Sequence, residues 1–246
     1  MKKIAAIILI LSFLNLSAQE YKFRDNIDKD SLFNISVKKL PEIKREEYIK
    51  TYNEGSAQTK EFLLFMISMP QSGKKELIEN YENKHAEILT LLQEYRKFIP
   101  ENYIVDVEFE PESKILTMPE QISIKIYRAV NQGDKLDVIS RNWNLEKNSE
   151  EMGEILKSIN WTSQTLTEVQ RLLKNANCIS IKNGQVTTIG YARSGMGQYS
   201  YKIFENPLTP EQKKQYDNGC EYIYYKENIV LEYGGGAIGP QCFEKK

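Results

Sequence analysis

The chain has 246 residues, of which 41% are hydrophobic and 27% are charged, the composition of an ordinary globular protein. Its 33 basic and 34 acidic residues almost cancel to a formal net charge of −1, which argues against nucleic acid or an anionic membrane surface as a partner. One histidine and three cysteines supply too few soft ligands for a zinc site, and we predict no metal and no other cofactor.

The N-terminal segment is typical of a secretory signal peptide. Lys2 and Lys3 precede an uncharged apolar run at residues 4–14, and the small and polar residues NLSAQ follow it. The apolar run is too short to span a bilayer core of about 30 Å. We therefore expect residues 1–19 to be removed, with cleavage after Ala18 or Gln19. The mature protein is then periplasmic or extracellular and has no membrane anchor.

The segments after the signal predict a helical N-terminal part. Residues 20–43 are polar and predict an irregular segment. Residues 44–99 predict a helical hairpin, in which the break PQSG separates a helix containing EFLLFMISM from a longer one. The longer helix has apolar residues at steps of three and four, which are Leu77, Tyr81, Ile88, Leu92, Tyr95 and Ile99.

Beyond residue 100 the pattern becomes one of strands with short helices between them. The predicted strands are YIVDVEF, ISIKIYRAV, KLDVISRNW, NCISI, QVTTIGYA, YSYKIF and the hairpin CEYIYYKENIVLEY, which turns at Glu227 and Asn228. The predicted helices are SEEMGEILKSI, TLTEVQRLLKNA with a capping box from Thr165 to Glu168, and a short helix capped by Thr209. The order predicts an α+β fold, with an N-terminal helical hairpin followed by a mostly antiparallel sheet. Residues 100–246 are expected to form one compact unit with residues 44–99.

The stretch EYGGGAIGPQCFEKK contains the spacing G-x-G-x-x-G at Gly234, Gly236 and Gly239. A dinucleotide-binding loop needs a following helix whose N-terminus meets the pyrophosphate. Only seven residues follow Gly239, and Pro240 is the first of them. We interpret the glycines as a bend in the backbone, with a ligand contact through bare N–H groups as the alternative.

The three cysteines predict one disulfide and one free thiol. Cys220 and Cys242 flank the last hairpin and its glycine-rich tail, and we predict that they are bonded. Cys178 lies among apolar residues in NANCISI, and we predict that it is buried.

Two groups of residues offer catalytic chemistry, and each also has a structural interpretation. His85 could act as the base for a cysteine nucleophile such as Cys178, but it also fits a packing role on an apolar helix stripe. Asp106, Glu108 and Glu110 occupy alternate positions of one strand and therefore one face of it. Two of them could perform acid/base hydrolysis if that face lined a cleft, whereas three acids on one face more commonly form a solvated surface. We assign no catalytic residue.

Tyrosines are concentrated in the C-terminal third of the chain. Tyrosine combines a large contact area with a hydroxyl group, a property that recognition surfaces use, although it is also a common packing residue of strands. The loop sequence YARSGMGQYSY adds an arginine between tyrosines. The predicted binding residues are Tyr191, Arg193, Tyr199, Tyr201, Tyr222 and Tyr224.

These features together predict an exported, non-catalytic binding protein, for example an inhibitor or an immunity-type protein. Its partner would be another protein or a small extracytoplasmic ligand. The alternative is a secreted hydrolase that uses the carboxylates or a His85–cysteine pair.

Overall fold

The structure is a computed structural model that describes residues 22–38, 40, 42–129, 136–217, 219–235 and 242–243. The predicted signal peptide lies outside the described residues, as do Gly236 and Gly239 of the glycine motif. None of the helices in the described ranges is long and apolar enough to cross a membrane.

The described residues form seven helices and eight strands. The helices are α1 (Lys29–Val37), α2 (Glu42–Glu54), α3 (Ala57–Ser68), α4 (Lys74–Phe98), α5 (Glu150–Ser158), α6 (Ser163–Asn175) and α7 (Pro210–Gln215). The strands are β1 (Tyr103–Glu110), β2 (Gln121–Ala129), β3 (Leu136–Leu145), β4 (Ser180–Lys182), β5 (Val186–Ser194), β6 (Gly197–Phe204), β7 (Tyr222–Lys226) and β8 (Ile229–Gly234). This helical part followed by a sheet confirms the predicted α+β class.

The described residues divide into two compact units, the first comprising those from 22 to 67 together with 113–118 and the second comprising 68–112 and those from 119 onward. The first unit contains a helix where we expected an irregular segment. Helix α1 is capped by Asp28, whose carboxylate accepts hydrogen bonds from the backbone N–H groups of Asp30 and Ser31. Phe33 and Val37, one turn apart on α1, are buried. The rest of their small core is Phe23, which lies shortly before α1, and Leu64, Ile67 and Leu116 from farther along the chain.

The second unit is built on one sheet with the strand order β3-β2-β1-β4-β5-β6-β8-β7, and all neighbouring strands are antiparallel. Alternation along β1 separates the two faces of this sheet. Val105, Val107 and Phe109 are buried in the core. Asp106, which lies between the two valines, and Glu110, which follows Phe109, are only half-buried. We call the side of Val107 the helix face and the side of Asp106 the polar face.

Three helices, α4, α5 and α6, cover the helix face. Tyr95 of α4 donates a hydrogen bond to the carbonyl of Val105 (3.0 Å), and Tyr201 of β6 donates one to the carbonyl of Leu77 in α4 (2.7 Å). Met152 of α5 and Leu166 of α6 are fully buried in the same core. The core is therefore continuous from the helices to the sheet.

The local signals at the ends of the short elements are mostly confirmed. Thr209 caps α7 with Gln212 as its capping-box partner, and the last hairpin turns at Glu227 and Asn228. The predicted start of α6 was wrong. The helix begins one turn before the predicted capping box, because Thr162 accepts a hydrogen bond from the backbone N–H of Thr165.

The C-terminal tail is joined to the sheet by a disulfide. Cys220 is bonded to Cys242, as predicted, with their Cα atoms 4.7 Å apart. The next residue, Phe243, is buried, and its ring lies 5.6 Å from the ring of Tyr199. Cys178 is free and buried, which confirms the prediction for the third cysteine.

Substitutions of two β-branched residues on adjacent strands test the assignment of the helix face and the polar face. We expect Ile124→Ala to lower the free energy of unfolding by about 2–5 kcal/mol, because the side chain is fully buried. Val138→Ala should change it by less than about 0.5 kcal/mol, because the Val138 side chain is 51% exposed. Urea denaturation of both variants checks the expectation, and equal losses would contradict it.

Candidate functional site

The structure does not bring the predicted binding tyrosines together. Tyr199 and Tyr201 share one face of β6, as the alternation predicts, but this is the helix face, and both rings are buried in the core. Tyr222 and Tyr224 share the polar face, because they oppose Glu232 and Val230 of β8. A single partner surface therefore cannot contain both pairs.

Tyr199 and Tyr201 have structural roles. The hydroxyl of Tyr201 accepts a hydrogen bond from the Asn80 amide (3.1 Å), in addition to donating to the carbonyl of Leu77. Its burial raises the pKa of Tyr201 well above the ordinary value for tyrosine. The ring of Tyr199 lies 4.9 Å from that of Tyr233. For these two residues the packing interpretation of strand tyrosines holds.

Tyr222 and Tyr224 are half-buried beneath the segment of α7. The ring of Tyr216, which follows α7, meets the ring of Tyr222 edge-on at 5.4 Å. The ammonium group of Lys213 lies 4.8 Å from the centre of the Tyr224 ring. These contacts occupy much of the surface that the two tyrosines could offer to a partner.

Arg193 belongs to a polar network in the middle of the polar face. Its guanidinium donates two hydrogen bonds, both 2.6 Å long, to the two carboxylate oxygens of Glu108. Gln198 donates a third bond to Glu108 (3.2 Å) and accepts bonds from Ser180 and Ser200. Glu108 is 8% exposed, so the network satisfies a carboxylate that is almost removed from water.

The three acids predicted to share a face do so, and each of them lies beside a cation. Asp106 pairs with Lys125 (3.2 Å), and Glu110 lies 3.6 Å from Arg193, which also holds Glu108. Burial raises the pKa of Glu108, and the charge of Arg193 opposes that effect. This arrangement is typical of a structural ion-pair network, in which a cation already holds every carboxylate.

His85 and Cys178 both lie in the described part of the chain, and no hydrogen bond joins them there. The Cys178 thiol instead accepts a long contact from the Asn80 amide (3.9 Å) and donates to the carbonyl of Ala176 (3.4 Å). Burial raises the pKa of Cys178 to about 12, which keeps the thiol protonated at neutral pH. The ring of His85 lies edge-on to that of Tyr81 at 5.1 Å.

Cys178 and Tyr191 line a cavity of about 330 Å³ near the C-terminal end of α6. Phe109 and Leu173 supply apolar walls, and Tyr191 stands at a bulge of β5. Glu120 lies at the same cavity and accepts a hydrogen bond from Gln170 of α6 (2.8 Å). The volume is at the lower end of the range for small-ligand sites.

The surface feature that the sequence reasoning missed is on β3, an edge strand of the sheet. Four large apolar side chains of this strand are exposed: Leu136 (39%), Val138 (51%), Ile139 (43%) and Trp143 (56%). We call these four residues the β3 patch. The described residues contain nine exposed large hydrophobic side chains in all, so this one strand of ten residues carries almost half of them.

Two β-bulges explain why so many apolar side chains of β3 lie on the polar face. Val138 pairs with Tyr127, and the register then shifts so that Ser140 pairs with Ile126. Ile139 is therefore an extra residue, and Val138 and Ile139 together oppose Tyr127. A second shift lies between the pairs formed by Asn142 and Leu145, so that Trp143 and Asn144 oppose one residue of β2. Strict alternation would have placed half of the patch on the helix face.

Cations lie beside the β3 patch on the same face. In the register of the sheet, Arg141 of β3 lies opposite Lys125 of β2, and Lys182 of β4 lies opposite Asp106 of β1. The guanidinium carbon of Arg141 and the ammonium of Lys182 each lie 5.5 Å from the centre of the Tyr127 ring. The site therefore combines tryptophan, tyrosine, arginine and aliphatic side chains.

Comparison with known proteins gives no guide to this site. No protein-family model, no curated protein and no solved structure matches the chain. Within the described ranges, no three histidine, cysteine or acidic residues are grouped so that they could hold a metal ion.

The raised pKa of Cys178 makes a direct prediction about its reactivity. A thiol with a pKa of about 12 is protonated at every pH below that value, so iodoacetamide should alkylate the native protein very slowly from pH 7 to 9. In denaturant without reductant, one alkyl group per chain should be added rapidly. Intact-mass spectrometry checks both results. Equal rates in the native and the denatured protein would contradict the burial of this thiol.

The network around Glu108 predicts a pH-dependent loss of stability when its cation is removed. Arg193→Met leaves a buried carboxylate without its cation and should lower the free energy of unfolding by about 1–3 kcal/mol at pH 7. The loss should be smaller at pH 4, because protonated Glu108 no longer needs a cation. Urea titrations at pH 7 and at pH 4 measure the loss in the free energy of unfolding. The double variant Glu108→Gln, Arg193→Met should recover most of the stability at pH 7, and a pH-independent loss would contradict the role of the pair.

Proposed function

We propose that this is an exported binding protein that contacts another protein through the β3 patch. The observation that carries the proposal is the exposure of Leu136, Val138, Ile139 and Trp143 on one strand. Soluble proteins seldom leave such side chains together in water unless the surface binds something, because burying them is favourable.

The composition of the site supports a protein partner. Trp143, Tyr127 and Arg141 are of the residue types that contribute most binding energy in protein interfaces. Val138 and Ile139 are branched aliphatic side chains, which suit a dry contact with apolar side chains of a partner. A rigid sheet presents all five, so that little conformational entropy is lost on binding.

The contact is expected to be made by side chains rather than by adding a strand to the sheet edge. Bulges interrupt the regular row of backbone groups on β3 at Ile139 and again after Asn142. Interruptions of this kind are a common protection of edge strands against pairing with other chains. The partner therefore needs a complementary surface, and not an extended segment.

Export is supported by two features. The N-terminal sequence has the three parts of a secretory signal, and the Cys220–Cys242 disulfide suits a compartment that permits disulfides. The partner is then sought outside the cytoplasm.

Site-specific photo-crosslinking in the native producer tests the proposal. The photoreactive residue p-benzoylphenylalanine replaces Trp143 in one variant and Leu89 in a control variant. Leu89 lies on α4 and is 38% exposed, so it is also an accessible apolar position of the second unit. We expect one discrete protein adduct from position 143 and none from position 89.

A second substitution connects the adduct to the patch. Val138→Asp introduces a charge into the patch and should abolish the adduct from position 143, because a desolvated carboxylate in an apolar contact is strongly unfavourable. Circular dichroism verifies that the variant is folded. No adduct at position 143, or equal adducts at positions 143 and 89, would contradict the proposed function.

A further inference from the structure

We propose, on the basis of the function proposed above, that the protein bound at the β3 patch presents an acidic surface. The structure assigns this preference to Arg141, Lys125 and Lys182, which lie in one row across the polar face beside the patch. This inference deepens the proposed function, because it names the chemistry of the partner that binds at the β3 patch.

The row follows from the register of four adjacent strands. Arg141 opposes Lys125, Lys125 opposes Asp106, and Asp106 opposes Lys182. Directly opposed residues on one face have Cβ atoms about 5 Å apart. The row therefore places three cations and one acid within a distance of three strand spacings, or about 14 Å.

The charges of this row are not balanced within the described part of the chain. Asp106 forms its ion pair with Lys125 at 3.2 Å. Arg141 and Lys182 form no ion pair with any described residue. The next acid along β1, Glu108, is bonded to Arg193. The row itself thus carries three positive charges and one negative charge, whereas Glu108 and Glu110 farther along β1 share the single cation Arg193.

The arrangement also has an unfavourable element that an anionic partner would relieve. Arg141 and Lys125 have the same charge and are opposed directly, an arrangement that destabilises a sheet. Arg141 and Lys182 both lie near the ring of Tyr127, each 5.5 Å from its centre, so that one aromatic residue adjoins both cations. Carboxylates of a partner that contacts Tyr127 would meet both cations.

An acidic protein fits this surface better than an anionic polysaccharide. The cations adjoin Val138 and Ile139, both of which oppose Tyr127 across the first bulge of β3. Branched aliphatic side chains of this kind pack against apolar side chains of a protein partner, which an anionic polysaccharide does not offer. Charge complementarity around such an apolar centre selects the partner and accelerates association.

Selection from a displayed library of random dodecapeptides tests the inference. Three targets are compared: the wild-type protein, the double variant Arg141→Gln, Lys182→Gln, and the patch variant Trp143→Ala. We expect clones that bind the wild type but not the patch variant to contain about threefold more aspartate and glutamate than the unselected library. Clones selected on the double variant should lose this enrichment, and binding to the wild type should weaken as salt is added.

The outcomes separate the two proposals. Clones that require Trp143 but show no excess of acidic residues would overturn the inference while leaving the proposed function in place. The absence of any clone that requires Trp143 would count against the proposed function itself. Heparin serves as the probe for a polysaccharide. If heparin binds the wild type and not the double variant, and no acidic clones are enriched, the row serves an anionic glycan and the inference fails.

Discussion

The second unit depends on one constraint. Alternate side chains of a single antiparallel sheet must pack in the core on one face and form the polar face on the other. On the helix face, Val107, Ile124 and Tyr201 pack against α4, α5 and α6 in one continuous core. On the polar face, the intervening positions carry charges and hydroxyl groups. Every second residue of a strand packs into the core. The intervening residues of each strand therefore determine whether its part of the polar face is charged, polar or apolar.

The polar face meets this constraint in two ways. In the middle of the sheet, Glu108, Arg193 and Gln198 satisfy one another, so that a nearly buried carboxylate has a cation and a hydrogen-bond donor. At the β3 edge, bulges add Ile139 and Trp143 to the same face, where they stay exposed. A bulge protects the edge from strand addition and at the same time creates an apolar surface beside cations. The edge is therefore where we infer function, whereas the central network has the properties of a structural element.

Sequence patterns predicted the elements of the fold better than the surface they build. Caps and alternation located α7, the last hairpin and the strands, because those signals are local. Helix α1 was missed because the core around Phe33 and Val37 is completed by Leu64, Ile67 and Leu116, which lie far along the chain and which no local pattern connects to the helix. Tyr201 and Tyr224 have the same alternation, and only the sheet register shows that one lies in the core. The β3 patch depends on register shifts against β2, although adjacent Val138 and Ile139, which break the alternation, were a detectable sign of the first bulge.

Hydrogen–deuterium exchange of the protein, alone and with the partner captured at position 143, tests whether β3 is the binding surface. The exposed edge of β3 should exchange rapidly in the free protein, because an edge strand has one row of amides that pair with no neighbouring strand. We expect slower exchange for residues 136–145 in the complex and unchanged exchange for α4. Slower exchange elsewhere, with β3 unchanged, would contradict the assignment of this strand as the binding surface.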